Sequence, residues 1–430
     1  MNNNPKTQND IAWEKLFDKY DIKNQIDING SFIITAKQIK EFREPRLMAK
    51  FDHRINLPQI FSKNKLAILP ITRGNYIISD FEAYKSFESL DKSIINLSLP
   101  SNLQSLDSNN ISSEAIAINC ALASGILSDF FAENYLHPTV YGRMGSGNFK
   151  FDILKNDLTT ALSVEVNNAQ VEIDAAFEGI ESLFILEAKI DVSKDFLIRQ
   201  LYYPFKLWQS KITKKVRPIF LVYSNGIFSL YEYEFKDPDL YNSLVLIKHK
   251  NYTIEDISIE FSDILDIMKK VNIQPEPKIP FPQANNFNRV INLCELLLNK
   301  DLSREEITEE YAFDIRQTNY YTDAARYLGL VGRKYDSGRK PIYFLTQKGR
   351  KILSFKYKQK QMALCECILE HKAFYKVFEL CQNGVMPDKK DIVNIMKNSN
   401  LYNIDKDKTY ERRSSTISGW INWIIKLMKT

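Results

Sequence analysis

The sequence predicts an α/β chain of the α+β kind: an N-terminal α+β region, a mixed-sheet core, and a mainly helical C-terminal part. Three observations predict it. Strand-like runs alternate with helical periodicity from about Ser113 to Phe235. Four prolines fall within Gln274–Pro282, which makes a stiff, extended connector and the clearest boundary in the chain. Beyond it the apolar spacing is helical. A chain of 430 residues exceeds one ordinary core, and an apolar content of 44% gives each domain enough to bury.

The first region, residues 1–98, mixes helix and strand patterns, with short strands at Lys65–Pro70 and Tyr76–Ile78. Its basic, aromatic stretch Arg43–Arg54, followed by Arg73, suits either a DNA-contacting or dimerising role or a supporting layer. His53 has no Cys or His neighbour at ligand spacing, so no metal role is expected for it. A polar Ser/Asn-rich loop spans Leu99–Ser113.

Residues 113–265 form the predicted core. A helix runs from Ser113 to about Glu133, capped by Ser112 or Ser113. Strands follow at Phe149–Ile153, Ala161–Val166, Val171–Phe177 and Leu183–Ile190. A helix across Asp195–Ser210 precedes strands at Arg217–Tyr223 and Ile227–Phe235. The third and fourth strands make a hairpin through Glu178–Glu181. Before them, Tyr141–Phe149 is glycine-rich. It reads either as a tight turn or as a close backbone approach in which Arg143 offers a fork for phosphate or guanine. It lacks the lysine spacing of a nucleotide-hydrolysing loop.

After the connector, residues 274–285, come two modules. In 286–357, helices are predicted at Asn288–Leu298, from the capping box at Ser303–Glu306 to about Phe313, and over Arg316–Leu330 with Gly329 as terminator. A basic segment, Gly332–Lys340, leads to a strand at Pro341–Leu345. In 361–430, helical patterns cover Phe374–Cys381, Lys389–Met396 and Arg413–Ile425, with Trp420 and Trp423 on a core-facing side.

Several classes are excluded. No apolar run is long enough to span a bilayer. Met1–Lys6 has no apolar leader, so no secretory signal is expected. Five scattered cysteines make no disulfide framework, and Cys365 and Cys367 have the wrong spacing for zinc, so a reducing cytoplasm is expected. The net charge of +5 is unevenly spread: residues 286–430 hold 26 Lys and Arg against 17 Asp and Glu, and the rest has an acidic excess. That asymmetry suits a C-terminal part that meets a polyanion, although a solvated basic face would look the same.

The chemistry concentrates on Asp174 and on Glu187-Ala188-Lys189. Apolar residues surround both carboxylates, and buried charge is costly unless paired or metal-bound. Two carboxylates suit Mg²⁺, a hard cation that keeps several waters, activates water and offsets transition-state charge. Strand side chains alternate, so Lys189 shares the face of Glu187 and can orient or deprotonate an attacking water. The bland alternative is an amphipathic hairpin with a surface Glu187–Lys189 pair.

Asp174, a hairpin-sized gap and Glu187-Ala188-Lys189 resemble the signature of the PD-(D/E)XK nuclease superfamily, and the element order over Ser113–Phe235 is similar to its core. Ile173 stands where that signature has proline. The resemblance implies Mg²⁺ ligation by Asp174, Glu187 and the Ala188 carbonyl, with Lys189 as base or orienter. It also implies a phosphate- or water-contacting Gln200 and an accessory carboxylate at Glu114. Glu114 equally fits a first-turn residue favouring the helix dipole; Glu165 and Glu172 are rival accessory ligands.

Three helices followed by a basic hairpin resemble a winged helix-turn-helix domain. The likeness implies base reading by Arg316, Gln317, Thr318 and Asn319 and phosphate contacts from Arg333, Lys334, Arg339 and Lys340. A second helix-turn-helix-like module would present Arg412, Arg413 and Ser414. A protein-binding winged helix is the bland alternative.

The combination resembles a type II restriction endonuclease. It implies Mg²⁺-dependent, sequence-specific hydrolysis of double-stranded DNA and a cognate DNA methyltransferase as genetic partner. A homodimer is expected at the cutting step, because one such centre cuts one strand. The alternatives are a modification-dependent or repair endonuclease, for which no base-flipping pocket is evident, and a winged-helix regulator with a degenerate nuclease fold, against which the intact Asp174, Glu187 and Lys189 speak.

Overall fold

The computed structural model describes residues 6–88, 90, 93–108, 110–255, 258–381, 385–404 and 406–428. Met1–Pro5, in the stretch expected to lack a leader, lie outside them, as does Asn109 of the expected polar loop. The chain is mixed α+β, with a large mixed sheet and a mainly helical C-terminal region.

The N-terminal region comprises α1 (Gln8–Tyr20), α2 (Ile22–Asn29), β1 (Phe32–Thr35), α3 (Ala36–Lys40), α4 (Pro45–Met48), α5 (Gln59–Asn64), β2 (Ala67–Pro70) and β3 (Asn75–Ser79). Thr7 and Asp10 cap α1 reciprocally. Its apolar stripe buries Trp13 edge-on against Phe61 at 4.7 Å, and the indole N–H donates to the Met48 carbonyl at 2.9 Å. The strands form a small antiparallel sheet in the order β1-β3-β2.

The central segment contains β4 (Tyr84–Ser86), β5 (Ile94–Asn96), α6 (Glu114–Ala123), α7 (Ile126–Phe131), β6 (His137–Gly145), β7 (Asn148–Leu154), β8 (Ala161–Asn167), β9 (Gln170–Glu178) and β10 (Ser182–Lys189). It continues with β11 (Asp195–Leu197), α8 (Arg199–Gln209), β12 (Lys215–Ser224), β13 (Ile227–Phe235), β14 (Leu244–Thr253) and α9 (Phe261–Lys270). Seven strands pair in the order β5-β14-β13-β12-β10-β9-β6, parallel at β5–β14 and β10–β12 and antiparallel elsewhere. Along β10, Leu183 and Ile185 face the core beneath α8, while Phe184, Leu186 and Ala188 face the core beneath α6 and α7. Phe131 of α7 stacks flat on Phe184 at 4.0 Å.

Several expectations are corrected here. The single helix expected over Ser113–Glu133 is two, because Gly125 takes a left-handed φ of 81°. Asp195–Leu197 is a strand paired with β4, so α8 starts later than expected. β7 and β8 pair with each other as a separate two-stranded sheet outside the main one. β6 reaches into the segment read as a glycine turn; it is an edge strand, where proline and glycine are tolerated and apolar alternation is weak. Since β5 pairs with β14, the last strands of the expected 1–98 region belong to the central sheets.

The C-terminal region runs α10 (Phe287–Leu296), β15 (Leu302–Ser303), α11 (Arg304–Glu310), α12 (Ile315–Tyr327), β16 (Val331–Tyr335), β17 (Pro341–Leu345), α13 (Gln347–Leu353), α14 (Tyr357–Leu369), α15 (Lys372–Leu380), α16 (Lys389–Lys397) and α17 (Asp407–Leu427). β15, β17 and β16 form a small antiparallel sheet in that order. Ser303 and Glu306 make the expected capping box, and Gly329 is left-handed past the end of α12. The two expected modules share one core: Phe287 of α10 packs on Trp420 and Trp423 of α17 at 4.9 and 4.4 Å. The proline connector is packed against this body. Phe281 is buried, and the Trp420 indole donates to the Ala284 carbonyl at 2.6 Å.

All five cysteines are buried and free. No helix among the described residues is long and apolar enough to cross a membrane.

Candidate active site

The hairpin predicted from sequence opens at its chemically important end. β9 and β10 pair as far as Leu186↔Ala175 and no further. On its other side β9 pairs with β6 through a register shift between Val140↔Ala176 and Gly142↔Ile173, which leaves Asp174 and Ala175 opposite Tyr141 alone. This bulge reverses the strand's facing, since Ile173 lies in the core under α8 and Phe177 in the core under α6 and α7. Asp174 is thereby turned toward β10, where its Oδ2 accepts the Ala188 N–H at 2.8 Å. The N–H and C=O of one strand residue point the same way, so the Ala188 carbonyl opens into the same cleft and accepts from Lys189 Nζ at 3.2 Å.

Glu187 is the hub. Its Oε1 accepts from Lys189 Nζ and from Gln200 Nε2, each at 2.6 Å. Gln200 reaches it from the first turn of α8, and Glu114, at the start of α6, stands 3.5 Å from Lys189 Nζ. Burial pushes the Glu187 carboxyl up to about 7, against the pull of Lys189. Burial likewise raises the carboxyls of Asp174 and Glu114. It works against the Lys189 ammonium, but Glu187, Glu114, Asp52 and Asp174 more than compensate and raise it well above the ordinary lysine range. The sequence-predicted Asp174, Glu187, Lys189, Gln200 and Glu114 therefore converge on one cavity of about 200 Å³. Larger cavities exist, including one of about 400 Å³ beside Arg217 and Glu232, but there the two charged groups neutralise each other in a bidentate pair.

The cavity also contains residues that sequence reasoning did not assign: Lys50, Asp52 and Arg199. Lys50 and Asp52 come from the basic, aromatic stretch Arg43–Arg54, in which neither was singled out. Arg143 lies on the exposed rim of the cavity and pairs with Glu172 at 3.1 Å, so it stands on a strand instead of in a turn. Glu165 is exposed on the separate β7–β8 hairpin and lines no part of the cavity.

The residues expected to read DNA divide into two groups. Arg333, Lys334, Arg339, Lys340 and Arg412 are exposed, and Arg316 and Asn319 are partly so. Lys334 pairs with Asp301 at 2.7 Å and Lys340 with Glu305 at 3.1 Å. Thr318 and Ser414, by contrast, are buried and bonded to backbone carbonyls of their own chain, at Asp314 and Glu411 respectively, which corrects their assignment as DNA contacts. Gln317 accepts from Arg289 at 2.8 Å, and Arg413 donates to the Phe281 carbonyl. Their side chains hold the body together.

This body is joined directly to the cleft. Asn292 of α10, fully buried, donates to the Ile190 carbonyl at 2.8 Å and accepts the Val192 N–H at 3.1 Å, gripping the chain just past Lys189. Between those points Asp191 Oδ2 faces His53 Nε2 at 3.3 Å. Burial opposes protonation of His53, but the Asp191 carboxylate outweighs it and raises the imidazole. Arg43 and Glu309 add a bidentate ion pair, both bonds 2.9 Å, between the N-terminal region and α11.

Among the described residues no three His, Cys, Asp or Glu side chains converge as a ready ligand cluster. The donor set nonetheless fits a hard, hydrated cation, which takes one or two carboxylates and keeps its waters. Asp174 and Glu187 supply the carboxylates and Ala188 a carbonyl. Two buried acceptors on residues that line this cavity, Gln200 Oε1 and Asp52 Oδ1, have no hydrogen-bond partner among the described residues.

Three family models match the chain, each described as a domain of unknown function: DUF6996 over residues 10–78, DUF6997 over 79–253 and DUF7226 over 289–429. Their limits agree with the N-terminal region, the seven-stranded sheet and the C-terminal body. No curated protein and no solved structure matches the chain.

Proposed function

We propose that this chain is a Mg²⁺-dependent endonuclease of the PD-(D/E)XK type that cuts double-stranded DNA at chosen sequences, as a type II restriction enzyme does. Convergence of Asp174, Glu187, Lys189 and Gln200 on one cleft at an opened hairpin supports this reading most strongly. The order helix, strand, helix, helix, strand, strand from α10 to β17 supports a winged-helix module with β16 and β17 as its wing.

Asp174, Glu187 and the Ala188 carbonyl would hold Mg²⁺, which when bound supplies water activation and charge neutralisation at the scissile phosphate. Lys189, ringed by carboxylates, is an ammonium donor in this arrangement. It positions the attacking water and offsets charge on the phosphate. Gln200 fixes Glu187 with its amide N–H. Lys50, Arg143 and Arg199 give the rim a positive edge for the flanking phosphates. Sequence choice falls to Arg316 and Asn319, while the exposed wing meets backbone phosphates. A homodimer would supply the second centre for the second strand, and a methyltransferase of the same specificity would protect the host.

The test is digestion of unmethylated phage DNA with the full chain and Mg²⁺. Discrete fragments are expected, lost when Glu187→Ala is used while specific binding in Ca²⁺ persists. A mobility shift without cutting, or undiminished cutting by Glu187→Ala, overturns the reading.

A further inference from the structure

The Phe51–His53 segment of the N-terminal region is pinned against the central segment at each residue. The Phe51 carbonyl accepts the Tyr84 hydroxyl at 2.9 Å, and the Asp52 carbonyl accepts the Leu197 N–H, also at 2.9 Å. His53 donates from Nδ1 to the Asp195 carbonyl at 2.7 Å and presents Nε2 to Asp191. The consequence is that the Asp52 side chain projects into the cavity of Asp174 and Glu187. Its Oδ2 stands 3.6 Å from Lys50 Nζ. Its Oδ1 is buried and has no partner among the described residues, and the same is true of Oε1 of Gln200, which lines the same cavity. A buried acceptor oxygen without a donor costs free energy, and here two such oxygens belong to side chains that line one small polar cavity. Burial pushes the Asp52 carboxyl up, but Lys50, Lys189 and Arg199 outweigh it and keep the group ionised.

We propose that Asp52 is a third carboxylate of the catalytic cavity, supplied by the N-terminal region, and that its Oδ1 and Gln200 Oε1 accept hydrogen bonds from the hydration shell of a divalent cation held by Asp174 and Glu187. Asp52 is thus a positioning residue for the cation, and the N-terminal region completes the site. This inference rests on the reading of the cleft as a cation-dependent cleavage centre.

The test is calorimetric titration of the full chain with MgCl₂ alone, without DNA, for the parent, Asp52→Asn and Asp174→Ala. Asp52→Asn keeps the shape and removes the charge. It is expected to weaken Mg²⁺ binding by about tenfold or more, the scale of losing an outer-shell partner, with an unchanged melting temperature in EDTA. If Asp174→Ala weakens binding and Asp52→Asn does not, the role of Asp52 is overturned and the cleavage-centre reading stands. If Asp174→Ala also leaves binding unchanged, both fall. Should Asp52→Asn melt earlier in EDTA, Asp52→Ser is measured in the same way, and parental Mg²⁺ affinity in that variant overturns the proposal.

Discussion

The Ala188 amide donates to Asp174 Oδ2 at 2.8 Å, at the point where the β9–β10 ladder has ended. One side chain therefore closes the backbone of the opened hairpin and offers its other oxygen to the cleft. The two duties separate by substitution. Asp174→Asn retains a carbonyl oxygen for the amide, so its melting temperature stays near the parent's while cleavage falls by on the order of a hundredfold or more. Asp174→Ala loses both, and the unsatisfied Ala188 N–H costs about 1–3 kcal/mol in addition. Thermal denaturation beside a cleavage time course checks this. Equal melting temperatures for the two variants would refute the structural half.

Asn292 ties the C-terminal body to the chain following Lys189 through two hydrogen bonds. Asn292→Leu fills similar space and makes neither. Cleavage is expected to fall about ten- to a hundredfold, as for removal of groups that orient a site, while affinity for cognate DNA in Ca²⁺ changes little. Binding and single-turnover cleavage measured side by side decide it; parallel loss of both would mean that Asn292 serves the fold alone.

Much of this arrangement was legible in the sequence because it is local. The Val171–Lys189 hairpin, the Ser303–Glu306 cap and the core position of Trp420 and Trp423 each follow from short-range pattern. Asp52 does not. It reaches the cleft through pairing of distant segments, and a stretch read as basic and aromatic gave no reason to single out this partly buried acid. β6 was hidden for another reason, since an edge strand tolerates the glycines that signal a turn. Thr318 and Ser414 show the limit of residue type: a hydroxyl donor on a helix reads bases only if its face is outward, and neighbouring helices decide that.

The wing offers a test of phosphate binding separate from catalysis. Arg333 and Arg339 are exposed at its strand and turn, and Arg339 has a left-handed φ of 60°. Asparagine tolerates that conformation, so Arg333→Ala with Arg339→Asn removes charge with little backbone strain. Cognate and unrelated DNA should lose affinity alike, and the plot of log affinity against log salt should flatten by about 0.9 for each phosphate that is no longer neutralised. Fluorescence anisotropy over a salt series measures the slope. An unchanged slope would remove the wing from the DNA interface.

Glu276 of the connector gives a pH dependence remote from the cleft. The Tyr327 hydroxyl donates to both its oxygens, at 2.9 and 3.1 Å. Burial nevertheless pushes this carboxyl up to about 7 from an ordinary 4.5. The folded chain thus holds the proton more tightly than the unfolded chain does. The resulting stabilisation is complete below the unfolded value and is lost as pH rises through about 7. Glu276→Gln keeps an acceptor for Tyr327 and never ionises. Its melting temperature should match the parent's at about pH 4 and exceed it at about pH 8, with the gap opening as the parent's carboxyl loses its proton. Melting curves across that range check it, and a gap that narrows with rising pH would show that the buried carboxylate is stabilised as an anion.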